Sequence, residues 1–122
     1  MATTKVVTAI WSTQTLTAAA GDTTSGTQTI DAGYGAALHI KLTNGATGPT
    51  IPAQVQVRVS ADNTEWYSYG GPLKGGTASN GISSWGGIPV PIGVEYLRLV
   101  AGSNTGQNVT VDADISEVTA VA

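Results

Sequence analysis

The sequence predicts an all-β fold: a single antiparallel β-sandwich of about eight strands, jelly-roll or immunoglobulin-like in topology. Three observations carry this expectation. Thr occurs 18 times in 122 residues and Val and Ile are frequent; β-branched residues suit the pleated surface of a sheet. Apolar residues recur with period two in several separate runs. Turn residues punctuate the chain at roughly ten-residue spacing, as in sandwiches and barrels. A chain of this length makes one domain, spanning residues 1–122. Phe is absent, so three Trp and four Tyr supply the large side chains.

Taken in order, the chain opens with polar Met1 to Lys5, expected to be poorly ordered alone. Val6-Val7-Thr8-Ala9-Ile10-Trp11 follows, a β-prone run with no charge between Lys5 and Asp22 and no Pro. Residues 1–12 therefore read as an N-terminal arm or an edge strand, open to pairing with another chain. On that reading, deleting residues 2–12 weakens self-association and spares the sandwich. Thr13 to Ala18 and Gly26 to Asp31 are weaker strands.

The strong strands come next. Leu38, Ile40 and Leu42 alternate with His39, Lys41 and Thr43; Val55, Val57 and Val59 alternate with Gln54, Gln56 and Arg58. Glu65 to Tyr69 is short and aromatic. Ile82 to Trp85 and Ile88 to Ile92 flank Gly86-Gly87. Pro89 and Pro91 cannot donate to a ladder, which makes that segment an edge strand or extended loop. Gly70-Gly71-Pro72 reads as a turn, and residues 70–87 as a long loop or poor hairpin. Leu97 and Leu99 alternate with Tyr96, Arg98 and Val100; Val109, Val111, Ala113 and Ile115 alternate with Thr110, Asp112 and Asp114. The inward set is Leu38, Ile40, Leu42, Val55, Val57, Val59, Val109, Val111 and Ile115, because a one-residue slip would turn all of them to water.

Composition excludes several functions. Five basic residues against eight acidic ones, net charge −3, leave no clustered Lys/Arg footprint for nucleic acid. No apolar run is long enough for a membrane-spanning helix, so no membrane partner is expected. Zero Cys removes disulfides and thiolate chemistry, and one His makes no multi-histidine metal site. Met1 to Lys5 carries no basic n-region or long apolar h-region, so no secretory signal is expected. Asn108-Val109-Thr110 matches a glycosylation acceptor, a chance match in that setting.

Catalytic constellations are weak. His39 has no G-x-S-x-G elbow or Cys to activate. Asp112 and Asp114 share one strand face, about 7 Å apart; they offer neither a cleft nor a calcium loop, and read as solubilising charge. Lys74 lies among glycines without phosphate-loop spacing, and Gly33-Tyr34-Gly35 lacks the third Gly of a dinucleotide fingerprint. No catalytic, metal or cofactor site is expected, and the chain is read as a non-enzyme. The aromatics stand out instead. Trp66 alternates with Tyr67 and Tyr69, so both faces of that strand carry rings, while Trp85 and Tyr34 lie in Gly-rich segments. Such rings favour protein interfaces, and equally serve as sugar-stacking platforms. The candidate interface is Val6, Val7, Ile10, Trp11, Tyr34, Trp66, Tyr67, Tyr69 and Trp85.

Ser60-Ala61-Asp62-Asn63-Thr64-Glu65-Trp66-Tyr67, Val94 to Val100 and Gly106 to Val111 together resemble the small β-sandwich virion proteins of tailed bacteriophages, head decoration (cement) proteins above all. The likeness runs from Leu38 to Val118 and lies in a strand-turn-strand pattern. It implies a protein made in the host cytoplasm and carried on the capsid surface in many symmetric copies. Its partners would be the major capsid protein and itself, as a dimer or trimer, with no catalysis and no cofactor. No contact residues carry across. A carbohydrate- or receptor-binding module of a phage tail or fibre, taking a glycan on the aromatics, is the other reading.

Overall fold

A computed structural model describes residues 3–30, 35–91 and 93–121. Nine strands run through them: β1 (Thr3–Leu16), β2 (Thr23–Thr24), β3 (Gln28–Thr29), β4 (Ala36–Asn44), β5 (Gln54–Ser60), β6 (Tyr67–Lys74), β7 (Ile82–Val90), β8 (Tyr96–Gly102) and β9 (Val109–Val121). No helix occurs among the described residues, and every ladder is antiparallel.

One sheet has the order β1-β9-β4-β7; the other has β2-β8-β5-β6, with β3 also on β8. β2 and β3 lie along the same side of β8 and act as one interrupted edge strand. Ser25 bridges the gap between them. Its N–H donates to the Leu99 carbonyl, and its hydroxyl accepts the Leu99 N–H at 2.9 Å, in place of a strand carbonyl. Counted so, the strands pair as nested hairpins: first with last (β1·β9), then β2/β3·β8, β4·β7 and β5·β6. That is the eight-stranded, double-sheet arrangement of a jelly roll, which resolves the topology left open by the sequence.

The core lies between the sheets and follows the period-two register. Leu38, Ile40, Leu42, Val55, Val57, Val109, Val111 and Ile115 are buried, and Val59 packs partly against them. Leu97, Leu99 and Ala101 complete the layer from β8. Gln54, Gln56 and Arg58 are only half-buried, on the opposite face.

Several turn-like signals prove to be bulges. β1 is one strand, where the sequence suggested two. Ser12 and Thr13 together oppose Asp112, Thr13 takes a φ of 54°, and its N–H donates to Asp112 Oδ1 at 2.8 Å. Thr3 to Lys5, expected to be a loose arm, are paired with the end of β9. Gly70-Gly71-Pro72 lies inside β6, bulging opposite Gln56, whose amide donates to the Gly70 carbonyl. Residues 70–87 hold the end of β6, a short connection and most of β7, which lie in different sheets, so they are neither one long loop nor a hairpin. In β7, Gly86 and Gly87 together oppose His39. An extra residue that bends a strand needs the same backbone freedom as a turn, so the two look alike in sequence. β7 is an edge strand carrying Pro89, as expected.

Two buried asparagines tie the loops at the sandwich end where β4 and β8 finish. Asn44 donates to the Gly76 and Ala78 carbonyls, and Asn104 to those of Leu16 and Gln107. Truncating Asn104 to alanine should leave the Leu16 carbonyl unpaired in a dry site, costing about 1–3 kcal/mol. Chemical denaturation of N104A checks this.

Candidate functional site

Strand direction brings the 61–66 turn to the opposite end, together with the starts of β4 and β8, the end of β7 and the paired ends of β1 and β9. Val6, Val7, Trp66 and Tyr67 of the candidate interface all lie toward this end, Val6 and Val7 on the β1 edge and Tyr67 on the β6 edge. Tyr34 lies outside the described residues. Val7 is 66% exposed and Tyr67 62%. Residues 4–9 are exposed throughout, on both faces of the strand.

Four other candidates belong to the core instead. The extra residue at Ile10 shifts the alternation, so Trp11 falls opposite Ala113 and turns inward among buried residues. Ile10 packs against the same cluster. Tyr69 pairs with Val57, packs inward, and donates its hydroxyl to the Pro89 carbonyl at 2.8 Å. It thereby ties the β6 edge of one sheet to the β7 edge of the other. Trp85 pairs with Ile40 and packs partly against the core. The missing Phe residues explain the pattern: these rings fill volume that Phe supplies elsewhere.

Trp66 is half-buried on the outer face of the five-stranded sheet, with the Arg98 guanidinium 4.1 Å from its ring centroid. The stack supplies a cation–π contact and shields Arg98 Nε, which is buried without a hydrogen-bond partner. Arg58 stands directly opposite Arg98 across the β5–β8 ladder. Like charges so placed repel, and the Trp66 ring offsets part of that cost. Nothing in the sequence links Trp66 to Arg98; the pair exists only because β8 returns beside β5.

The turn before Trp66 is built by its own polar side chains. Ser60 Oγ accepts the Asn63 N–H and donates to Asp62; Asp62 Oδ1 accepts the N–H groups of Thr64 and Glu65 at 2.9 and 3.0 Å. Asn63 takes a φ of 61°, which Asn tolerates better than most residues. The Glu65 and then the Thr64 amide hold the Asp62 carboxyl below the ordinary aspartate range. Because the folded value is depressed, this turn is held above the ordinary aspartate value and released as pH falls through the folded one. An NMR titration should show the Asp62 carboxyl and the Thr64 and Glu65 amides moving together, with a midpoint below that of a free aspartate. Independent midpoints, or one at the free value, would contradict this.

The outer face of the four-stranded sheet holds a shallow depression of about 330 Å³ lined by His39, Lys41, Ser84, Asp112 and Asp114 beside Gly86. His39 Nδ1 lies 3.1 Å from Asp114 Oδ1, both side chains 44% exposed. Asp112 and Asp114 share this face, as their spacing predicts, and Asp112 holds the β1 bulge. Among the described residues no cluster of three His, Cys, Asp or Glu is placed to hold a metal ion. The site pairs His39 with a carboxylate, and Ser84 and Lys41 line the same open depression.

Fold and surface together define a jelly-roll domain whose distinctive features are exposed patches and a free strand edge. No protein-family model and no curated protein matches the chain. Solved structures do. The chain is similar to the VP2 subviral particle of infectious bursal disease virus, with a TM-score of 0.59 at 10% identity over 93% of this chain and 32% of that one. The Gx strain of the same virus gives 0.58 at 10% identity over 93% of this chain and 31% of that one. The chain thus spans about a third of those viral chains. It is also similar to the SPBc2 prophage-derived protein YomS, with a TM-score of 0.56 at 12% identity over 96% of both chains. At these identities the likeness is one of fold.

Proposed function

We propose that this protein is a non-enzymatic structural component of a tailed-phage virion, seated on the capsid surface and bridging major capsid subunits. The observation that carries this reading is the exposure of Val6 and Val7 on the β1 edge and of Tyr67 on the β6 edge, all toward one end of the sandwich. Exposed aliphatic and aromatic groups on a fixed frame suit adhesion to another protein. The fold shared with a viral VP2 and a prophage-derived protein supports the same reading. Many copies on a symmetric shell would convert weak single contacts into a firm clamp. Self-association as a dimer or trimer fits that arrangement.

A sugar-binding role draws less support. Stacking needs a free ring face; Arg98 covers one face of Trp66, and Trp85 and Tyr69 pack partly against the core. Tyr67 remains exposed, its hydroxyl donating to Glu65 at 2.9 Å.

Virion fractionation tests the proposal. The protein is expected in stoichiometric amounts in purified heads, and heads from a deletion phage should lose DNA at lower temperature. Recovery only in tails, or absence from virions, would overturn the reading.

A further inference from the structure

The sandwich has four sheet edges, and three are closed to further pairing. β7 carries Pro89 and the Gly86-Gly87 bulge. β6 carries Pro72 within a three-residue bulge. The edge formed by β2 and β3 consists of two-residue pieces. Prolines, bulges and short strands are the devices by which proteins stop edges from pairing. β1 uses bulges too, but only at Thr4/Lys5 and between Ala9 and Gln14. From Lys5 to Ala9 it runs regularly against β9, residue for residue, and carries neither Pro nor Gly. Among the described residues, no hydrogen bond of Val6 to Ala9 reaches any element beyond β9. Val6 and Val7 are 48% and 66% exposed, pointing to opposite faces.

We propose that Lys5–Ala9 pairs antiparallel with the same segment of a second copy, about a two-fold axis at Val7. The two four-stranded sheets then form one continuous eight-stranded sheet. The second copy is the occupant because the segment is complementary to itself. An axis perpendicular to the sheet keeps inner faces with inner faces, and so requires the paired positions to share parity. Centred on Val7, this sets Val7 against Val7, Val6 against Thr8 and Lys5 against Ala9. Each Lys5 then faces an alanine, and the two ammonium groups lie roughly 13 Å apart along the strands. Centring on Lys5 would instead oppose two like charges, which is unfavourable. Exposure on both faces leaves room for the second sandwich, since no described residue covers the segment on either side. The dimer is a property of the isolated chain and does not depend on the virion role.

Sedimentation equilibrium of the purified full chain tests it, with two variants. The wild type is expected to be a dimer at ~100 μM, a concentration that populates a complex of micromolar affinity. Val7→Lys places two charges face to face at the axis and should weaken dimerisation at least tenfold. Thr15→Lys, exposed on the same strand but outside the free segment, should leave it unchanged. Val7→Cys, in a chain with no other cysteine, should form an intermolecular disulfide readily, because directly opposed residues sit 4.5–5.5 Å apart at Cα. Thr15→Cys should not. A monomeric wild type, a trimer, or a dimer indifferent to Val7→Lys overturns the proposal. If Val7→Lys failed to fold, the contrast between the two cysteine variants would decide.

Discussion

Truncating Leu99 to alanine is expected to lower the unfolding free energy by about 2–5 kcal/mol, a large fraction of the 5–15 kcal/mol of a typical domain. Leu99 is fully buried on β8, flanked by β5 on one side and the interrupted β2/β3 edge on the other. Its side chain meets the opposite sheet at the centre of the core, so a cavity there cannot collapse without moving several strands. Its backbone N–H and carbonyl are both tied to Ser25, so the residue cannot shift to relieve the void. Val100, its neighbour on the outer face, is only half-buried, and Val100→Ala should cost under about 1 kcal/mol. Leu99→Ala should melt several degrees or more below Val100→Ala, at roughly 3–6 °C per kcal/mol for a domain of this size. Equal melting temperatures would mean that the two faces of β8 are not distinguished as described.

That contrast is the part of the fold most legible in the sequence. Period-two runs at 38–42, 55–59 and 109–115 place their apolar sides inward because register is set by which face must leave water. The runs do not tell which strand lies beside which. The nested pairing of β1 with β9 and of β4 with β7 joins residues far apart in the chain, and no local pattern encodes it. Bulges were illegible for a different reason. Thr13, Gly70 and Gly87 all have positive φ, and a single sequence cannot separate a strand that kinks and continues from one that ends.

The candidate surface divides along the same line. Val6 and Val7 were legible as an unprotected β-prone run, because edge protection is a matter of local composition. Trp11 was not, since its inward turn depends on one extra residue at Ile10. Tyr69 and Trp85 were not either, because only the facing sheet reveals that their rings are needed to fill the core. The Ser60-to-Trp66 stretch, which supported the resemblance to decoration proteins, is a hydrogen-bonded turn centred on Asp62. Its pattern reports how the chain passes from β5 to β6, and such a turn is compatible with many functions.

Deleting residues 2–12 is expected to unfold the protein, contrary to the sequence-based expectation that the sandwich would survive. The deletion removes most of the β1–β9 ladder, from Thr3 opposite Val121 to Trp11 opposite Ala113. It also removes the Trp11 ring, 9% exposed in the main core. Trp11→Ala alone should cost about 3–5 kcal/mol. Losing the strand as well would expose one side of β9, whose Val109, Val111, Ala113 and Ile115 all face the core. The Val7→Lys variant should behave oppositely, because Val7 is mostly exposed; surface changes of that kind usually stay within about 0.5 kcal/mol of neutral. Scanning calorimetry at low concentration, where neither protein self-associates, separates the two effects. The point variant should melt cooperatively within a few degrees of the wild type, and the truncated chain should show no cooperative transition. A truncated chain that melts like the full one would mean that β1 is a detachable arm and that Trp11 contributes nothing to the core.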